Sequence, residues 1–135
     1  MTQGELDAFL GRIPYVGFLG MGARLDAEGL TGVLPFAPHL IGNVMLPALH
    51  GGVLGAFLEL TALARLALDQ PQARRAKTID VTIEYLRPGK PVETYARADL
   101  RKVGRRIASV HVEAWQESRD QPVAALRGHF LMGEG

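Results

Sequence analysis

The densest apolar run in the chain extends from Leu49 to Asp69, and from Val53 onward its Leu and Ala residues cover nearly the whole circumference of a helix. Both residue types favour helix, and a helix that is apolar on most sides is enclosed by the rest of its domain. The pattern predicts a buried central helix over about residues 51–70. Ahead of it, Leu6, Phe9, Leu10 and Ile13 recur at helical spacing behind Thr2-Gln-Gly-Glu5, which matches a capping box. A short amphipathic helix therefore opens the chain, and Pro14 ends it.

Elsewhere the period drops to two. Leu19, Met21, Ala23 and Leu25 alternate with other residues, Asp26-Ala-Glu-Gly29 supplies a turn, and Leu30, Gly32, Leu34 and Phe36 alternate again, so residues 16–36 read as a hairpin. Residues 37–50, with Pro38, Gly42, Asn43 and Pro47, read as an irregular connection that delivers the chain to the helix. After a basic turn at 70–77, Ile79, Val81, Ile83 and Tyr85 alternate with Asp80, Thr82 and Glu84. Strands over 92–103, 106–116 and 123–132 follow, and with the turn at Arg87-Pro-Gly-Lys-Pro91 the four are expected to run as a meander. This order gives an α+β class, an antiparallel sheet of about six strands wrapped around one long helix.

Two features of the central stretch do not serve helix formation. Gly51 and Gly52 stand at its start, where backbone N–H groups lack intrahelical acceptors and the dipole is positive. Without side chains they admit a ligand to the backbone, which suits a negatively charged oxygen. Glu59 interrupts the apolar length, and Gly55, Ala56, Ala62 and Leu63 occupy the positions from which a Lys or Arg would pair with it. A carboxylate in that setting is costly to bury and is a candidate base or nucleophile.

Eight residue steps separate Gly51 from Glu59, about 12 Å along a helix axis. Two groups that act on one carbon must each lie within about 3 Å of it. The chain holds no second copy of this stretch, so a shared site takes its glycine from one subunit and its glutamate from another. A homodimer is implied, alone or as half of a homotetramer.

The 135 residues suffice for one domain, residues 1–135, with its own core. A net charge of +1 gives no general attraction to nucleic acid or anionic membrane, so neither is expected as a partner. Cysteine is absent, which excludes disulfides and thiolate chemistry. The N-terminus lacks the basic start and apolar run of a secretory signal, and the longest apolar stretch, broken by Glu59 and Arg65, reads as too short for a membrane span. A cytoplasmic location is expected. His39, His111 and His129 show no metal-ligand spacing, so no metal is expected.

With these elements placed, the chain resembles the hotdog-fold acyl-CoA thioesterases, in the branch of the phenylacetic-acid-degradation (PaaI-like) enzymes. The resemblance rests on His50-Gly51-Gly52-Val53 with Glu59 nine residues after the histidine, and on Thr82-Ile-Glu-Tyr-Leu-Arg-Pro88. The Gly104-Arg-Arg turn and Leu126-Arg-Gly-His-Phe130 support it. It implies hydrolysis of an acyl-CoA thioester, with the Gly51 amide on the thioester carbonyl and Glu59 acting from the partner subunit, as general base or as nucleophile. The hydrolysis implied by the resemblance calls for no cofactor. Relatives often carry Asn or Gln six residues before the histidine, where this chain has Val44 and the adjacent Asn43, and many use Asp at the place of Glu59.

Structural roles compete for each residue. Glu59 can reach solvent along its own stem, the glycine pair can serve tight packing, and Asn43 suits a turn as well as a site. His50 either orients the glycine loop or bonds backbone for purely structural ends. Arg87, Arg105 and Arg106 are candidates for the coenzyme phosphates. Two alternatives in function are a hotdog dehydratase or hydratase, whose histidine-and-proline loop Phe36-Ala-Pro-His39 and Val44-Met-Leu-Pro47 resemble, and a non-catalytic acyl-CoA-binding protein.

Overall fold

A computed structural model describes residues 1–133 of the chain. Its elements are α1 (Gln3–Gly11), α2 (Pro14–Leu19), β1 (Gly22–Asp26), β2 (Gly29–Leu34), β3 (Ile41–Asn43), β4 (Ala48–Leu49), α3 (Gly51–Asp69), β5 (Lys77–Tyr85), β6 (Thr94–Val103), β7 (Ile107–Trp115) and β8 (Ala124–Leu131). Six strands form one antiparallel sheet in the order β1-β2-β6-β7-β8-β5, and β3 and β4 form a separate short ladder.

The sheet curls around α3. Leu54, Phe57, Leu58 and Thr61 of the helix are buried, as are Ala108, Val110, Val112, Leu126 and Phe130 of the strands. Small residues let the layers close up. A Cβ on Gly32 of β2 would stand 2.5 Å from Thr61 Oγ1 and 3.2 Å from Phe57 Cε1. Thr61 is fully buried and satisfied, its hydroxyl donating to the Phe57 carbonyl at 2.8 Å. The expected capping box is present on α1, with the Glu5 N–H donating to Thr2 Oγ1 and the Thr2 N–H to Glu5 Oε1. Leu6, Phe9 and Leu10 of that helix join the core.

Three expectations are corrected. The opening helix already ends at Gly11, and Pro14 instead opens α2 at its first position; Gly20 closes α2 in the left-handed conformation (φ 74°), so the first strand of the hairpin expected over 16–36 starts only at Gly22. The connection 37–50 is not wholly irregular, since it folds into a 3-10 turn at Pro38–Leu40 and the β3–β4 ladder. The last four strands are not a meander in sequence order. β6, β7 and β8 are consecutive neighbours, but β5 pairs with β8 and forms the sheet's far edge.

Periodicity tells which face a strand buries and leaves its partner open. The other edge of β6 is taken by β2, and a segment with Pro88, Gly89 and Pro91 is too long and too poor in donors for a tight hairpin. It crosses over instead past the start of α3, where the Gly89 carbonyl accepts from the Leu49 N–H at 2.9 Å. α3 itself is long and apolar enough to cross a membrane by length and composition, contrary to the expectation from its charges, but 61% of its most apolar window is buried within the fold.

Two predictions arise from this packing. Gly32→Ala forces a methyl into Thr61 and Phe57 and should cost about 1–3 kcal/mol of unfolding free energy, read from urea midpoints. On the outer face, burial first, then the charges of Arg101 and Arg127, hold the His111 pKa below its ordinary 6.5. The unfolded chain then binds the extra proton, so stability is complete above about pH 6.5 and declines as pH falls. Urea midpoints between pH 8 and 5 should show that decline, and His111→Gln should flatten it.

Candidate active site

α3 begins where the chain leaves the β3–β4 ladder. His50 is its N-cap, with extended backbone (φ −64°, ψ 134°), and its Nδ1 accepts from the Gly52 N–H at 2.9 Å. A neutral ring whose Nδ1 accepts carries its proton on Nε2. The His50 carbonyl accepts from the N–H groups of Val53 and Leu54, at 3.0 and 3.2 Å. Of the first four amides of the helix, that of Gly51 alone has no acceptor among the described residues.

Tyr85, at the end of β5, fixes this residue from the other side. Its hydroxyl donates to the Gly51 carbonyl at 2.7 Å, and its ring lies 3.4 Å from where a Gly51 Cβ would stand. In the sequence Tyr85 shows only as the last member of an alternating strand, since a contact across 34 residues leaves no local trace.

A cleft of about 500 Å³ opens at this helix start, and Asn43, His50, Gly51, Tyr85 and Arg87 are among its walls. The Asn43 carbonyl oxygen accepts from the N–H groups of Met45 and Leu46, at 2.9 and 3.3 Å, which is the turn-forming role weighed for it. Arg87 donates to the Pro122 carbonyl and so ties the crossover to the β7–β8 connection. Gly52 lies outside the cleft. Arg105 and Arg106 lie elsewhere, with Lys102 around a separate depression at the β6–β7 turn.

Glu59 does not reach this cleft. It is half-buried farther along α3, where its Oε2 accepts from the Thr78 hydroxyl at 2.7 Å. The partner that helical spacing could not supply comes from β5. Thr78 faces inward because the β5–β8 register shifts between Thr78 and Asp80, so Ile79 is an extra residue and both Thr78 and Val81 turn toward the helix. Among the described residues no three His, Asp or Glu groups converge as metal ligands would.

The arrangement offers one amide without an acceptor among the described residues at the positive end of a helix and, about 12 Å along the same helix, one carboxylate held by a hydroxyl. The first suits a developing oxyanion and the second suits proton abstraction or nucleophilic attack.

Residues 46–123, more than half of the chain, match the thioesterase superfamily. The chain is 29% identical to the medium/long-chain acyl-CoA thioesterase YigI of Escherichia coli strain K12, over 94% of this chain and 90% of that protein. A solved protein of Chromobacterium violaceum is 35% identical, covers 97% of this chain and 91% of its own, and superposes with a TM-score of 0.78. A Shewanella oneidensis protein related to the thioesterase superfamily is 25% identical with a TM-score of 0.82, over 97% and 95% of the two chains. The segment matched to the superfamily contains Gly51, Glu59, Thr78 and Tyr85, the residues that build the two halves described above. The chain belongs to the thioesterase superfamily and is a thioester hydrolase built on the hotdog fold.

Proposed function

We propose that the chain hydrolyses acyl-CoA thioesters as a homodimer, with Glu59 of one subunit serving the Gly51 cleft of the other. The observation that carries this reading is the separation of the two halves within one subunit: Gly51 lines the cleft and Glu59 does not. The acyl-CoA class is supported by the similarity to YigI. The His50-Gly51-Gly52 and Glu59 spacing supports a place near the phenylacetic-acid-degradation branch.

The layout of β5 supports the subunit sharing. This strand is an edge of the sheet, with Ile79 and Tyr85 about half exposed, and unpaired edges of that length are normally covered. Its two ends touch the two halves of the site, Thr78 holding Glu59 and Tyr85 holding Gly51. A second copy paired antiparallel about a two-fold axis at Thr82 sets Thr78 opposite the partner's Tyr85, once the extra residue at the shift is allowed for. Each Glu59 then comes to lie by the other subunit's Gly51.

In such a site the thioester carbonyl oxygen accepts from the Gly51 N–H, which stabilises the tetrahedral oxyanion. Glu59 either takes a proton from the attacking water or attacks the carbonyl itself to give an anhydride that water then opens. Collapse releases coenzyme A and the free acid. Both routes run without metal or redox cofactor. Gly52 serves the cap rather than the substrate, since a Cβ there would stand 3.0 Å from His50 Nδ1, and Arg87, Arg105 and Arg106 offer charges to the coenzyme phosphates. A hydratase would need a histidine by the carboxylate. His39, the candidate, is instead 2.7 Å from the Phe18 carbonyl and packs edge-on against the Phe18 ring at 4.9 Å.

Thiol release from a panel of aryl- and alkyl-CoA thioesters tests the reading. Glu59→Gln should lower turnover by about 10²-fold or more. Gly51→Pro removes the free N–H at a first helical position, where proline is tolerated and His50 already has the extended backbone proline requires before it; it should cost about 10²–10³-fold. Neither variant should work alone, whereas subunits of the two, refolded together, should recover about one quarter of wild-type activity through mixed dimers with one intact site. Recovery at the level of either parent would exclude subunit sharing, and a wild type that releases no thiol would exclude acyl-CoA hydrolysis.

A further inference from the structure

We infer that Tyr85 is a positioning residue for the hydrolysis: its hydroxyl holds the Gly51 backbone so that the Gly51 amide meets the developing oxyanion, and it acts on turnover rather than on substrate binding. The inference rests on the oxyanion role of Gly51 proposed above.

Two glycines of α3 make the seat for this side chain. Gly51 and Gly55 lie one helical turn apart and present bare backbone on the same side of the helix. A Cβ on Gly51 would stand 3.4 Å from Cε1 and Cζ of the Tyr85 ring. On Gly55 it would stand 2.7 Å from Ile83 Cδ1 and 3.4 Å from the Tyr85 hydroxyl. β5 thus lays Ile83 and Tyr85 into a groove that larger residues at 51 and 55 would fill. Gly55 serves this contact, since it lies outside the cleft.

The contact bears on the amide through the two peptide groups that flank Gly51. A glycine has no Cβ to restrict its dihedrals, and the first N–H of a helix lies outside the intrahelical ladder. The leading peptide carries that N–H, and its carbonyl, of His50, accepts from Val53 and Leu54 at 3.0 and 3.2 Å. The trailing peptide is held by Tyr85, whose hydroxyl donates to the Gly51 carbonyl at 2.7 Å. That carbonyl has two lone pairs, so the bond leaves one for the helix. With both planes fixed, the amide has one direction before substrate arrives. Tyr85 is 54% exposed, so loss of its hydroxyl leaves the core intact.

The test measures thiol release and inhibitor affinity in Tyr85→Phe. Its kcat should fall about tenfold through misplacement of the donor, with KM within about twofold of the wild type. An acyl-CoA analogue with a trifluoromethyl ketone, which hydrates to a tetrahedral species, should bind about tenfold more weakly, whereas an S-alkyl-CoA thioether, which has no carbonyl, should bind as before. In Gly51→Pro, which has no amide to orient, adding Tyr85→Phe should change kcat by less than about twofold. Gly55→Ala keeps the hydroxyl but crowds it and Ile83, and should lower kcat with KM unchanged. Wild-type kcat in Tyr85→Phe would overturn the inference, as would equal weakening of both analogues or a full further loss in the Gly51→Pro background; each leaves the Gly51 reading intact. Wild-type kcat in Gly51→Pro would remove the Gly51 reading and this inference with it.

Discussion

The close seating of α3 in the curled sheet sets where every functional group can stand. Gly32 lets Phe57 and Thr61 approach the β2 backbone, and buried alanines at 96, 108, 114 and 124 keep the strands near the helix. Interiors packed this closely yield little to displacement. The helix start and the Glu59 turn are therefore two fixed points on one rigid rod, about 12 Å apart. That separation is the reason the proposed site draws its two groups from two subunits.

At the first of those points, capping chemistry makes the difference between two adjacent glycines. The His50 ring consumes the Gly52 amide, and the His50 carbonyl takes those of Val53 and Leu54. The Gly51 amide has no acceptor among the described residues, and Gly51 lines the cleft. Tyr85 then pins the Gly51 carbonyl from β5, so the donor has a defined direction before any ligand arrives. Preorganised donors of this kind need no rearrangement as charge develops.

β5 links the two points. It touches the helix start through Tyr85 and the carboxylate through Thr78, and its outer edge lacks a neighbour in the sheet. The same strand that orients both groups is thus the strand along which a second copy can pair. The register shift after Thr78 matters here, because without it the threonine would point away from Glu59.

Much of the fold was legible in the residues themselves. The apolar circumference of 53–68, the capping box at Thr2 and Glu5, and the period-two runs after residue 78 each reflect local physics, and they locate α1, α3 and the late strands, although the register shift turns Thr78 inward and leaves Ile79 exposed against the alternation. The glycines at 51 and 52 and the isolated Glu59 were visible for the same reason: each violates what its helix alone would require. Strand order, by contrast, depends on which edges are free once every strand is in place, which is why β5 went to the far side of β8. Tyr85 and Thr78 acquired their roles through contacts 34 and 19 residues away. The sequence by itself determined the two longer helices, the strands of the main sheet and the two candidate groups, Gly51 and Glu59, because those depend on neighbours a few residues away, whereas α2 and the β3–β4 ladder appear only in the fold. Only the tertiary structure decided which amide is left unpaired, what holds the carboxylate and which strand is the edge, because those depend on close packing between distant parts of the chain.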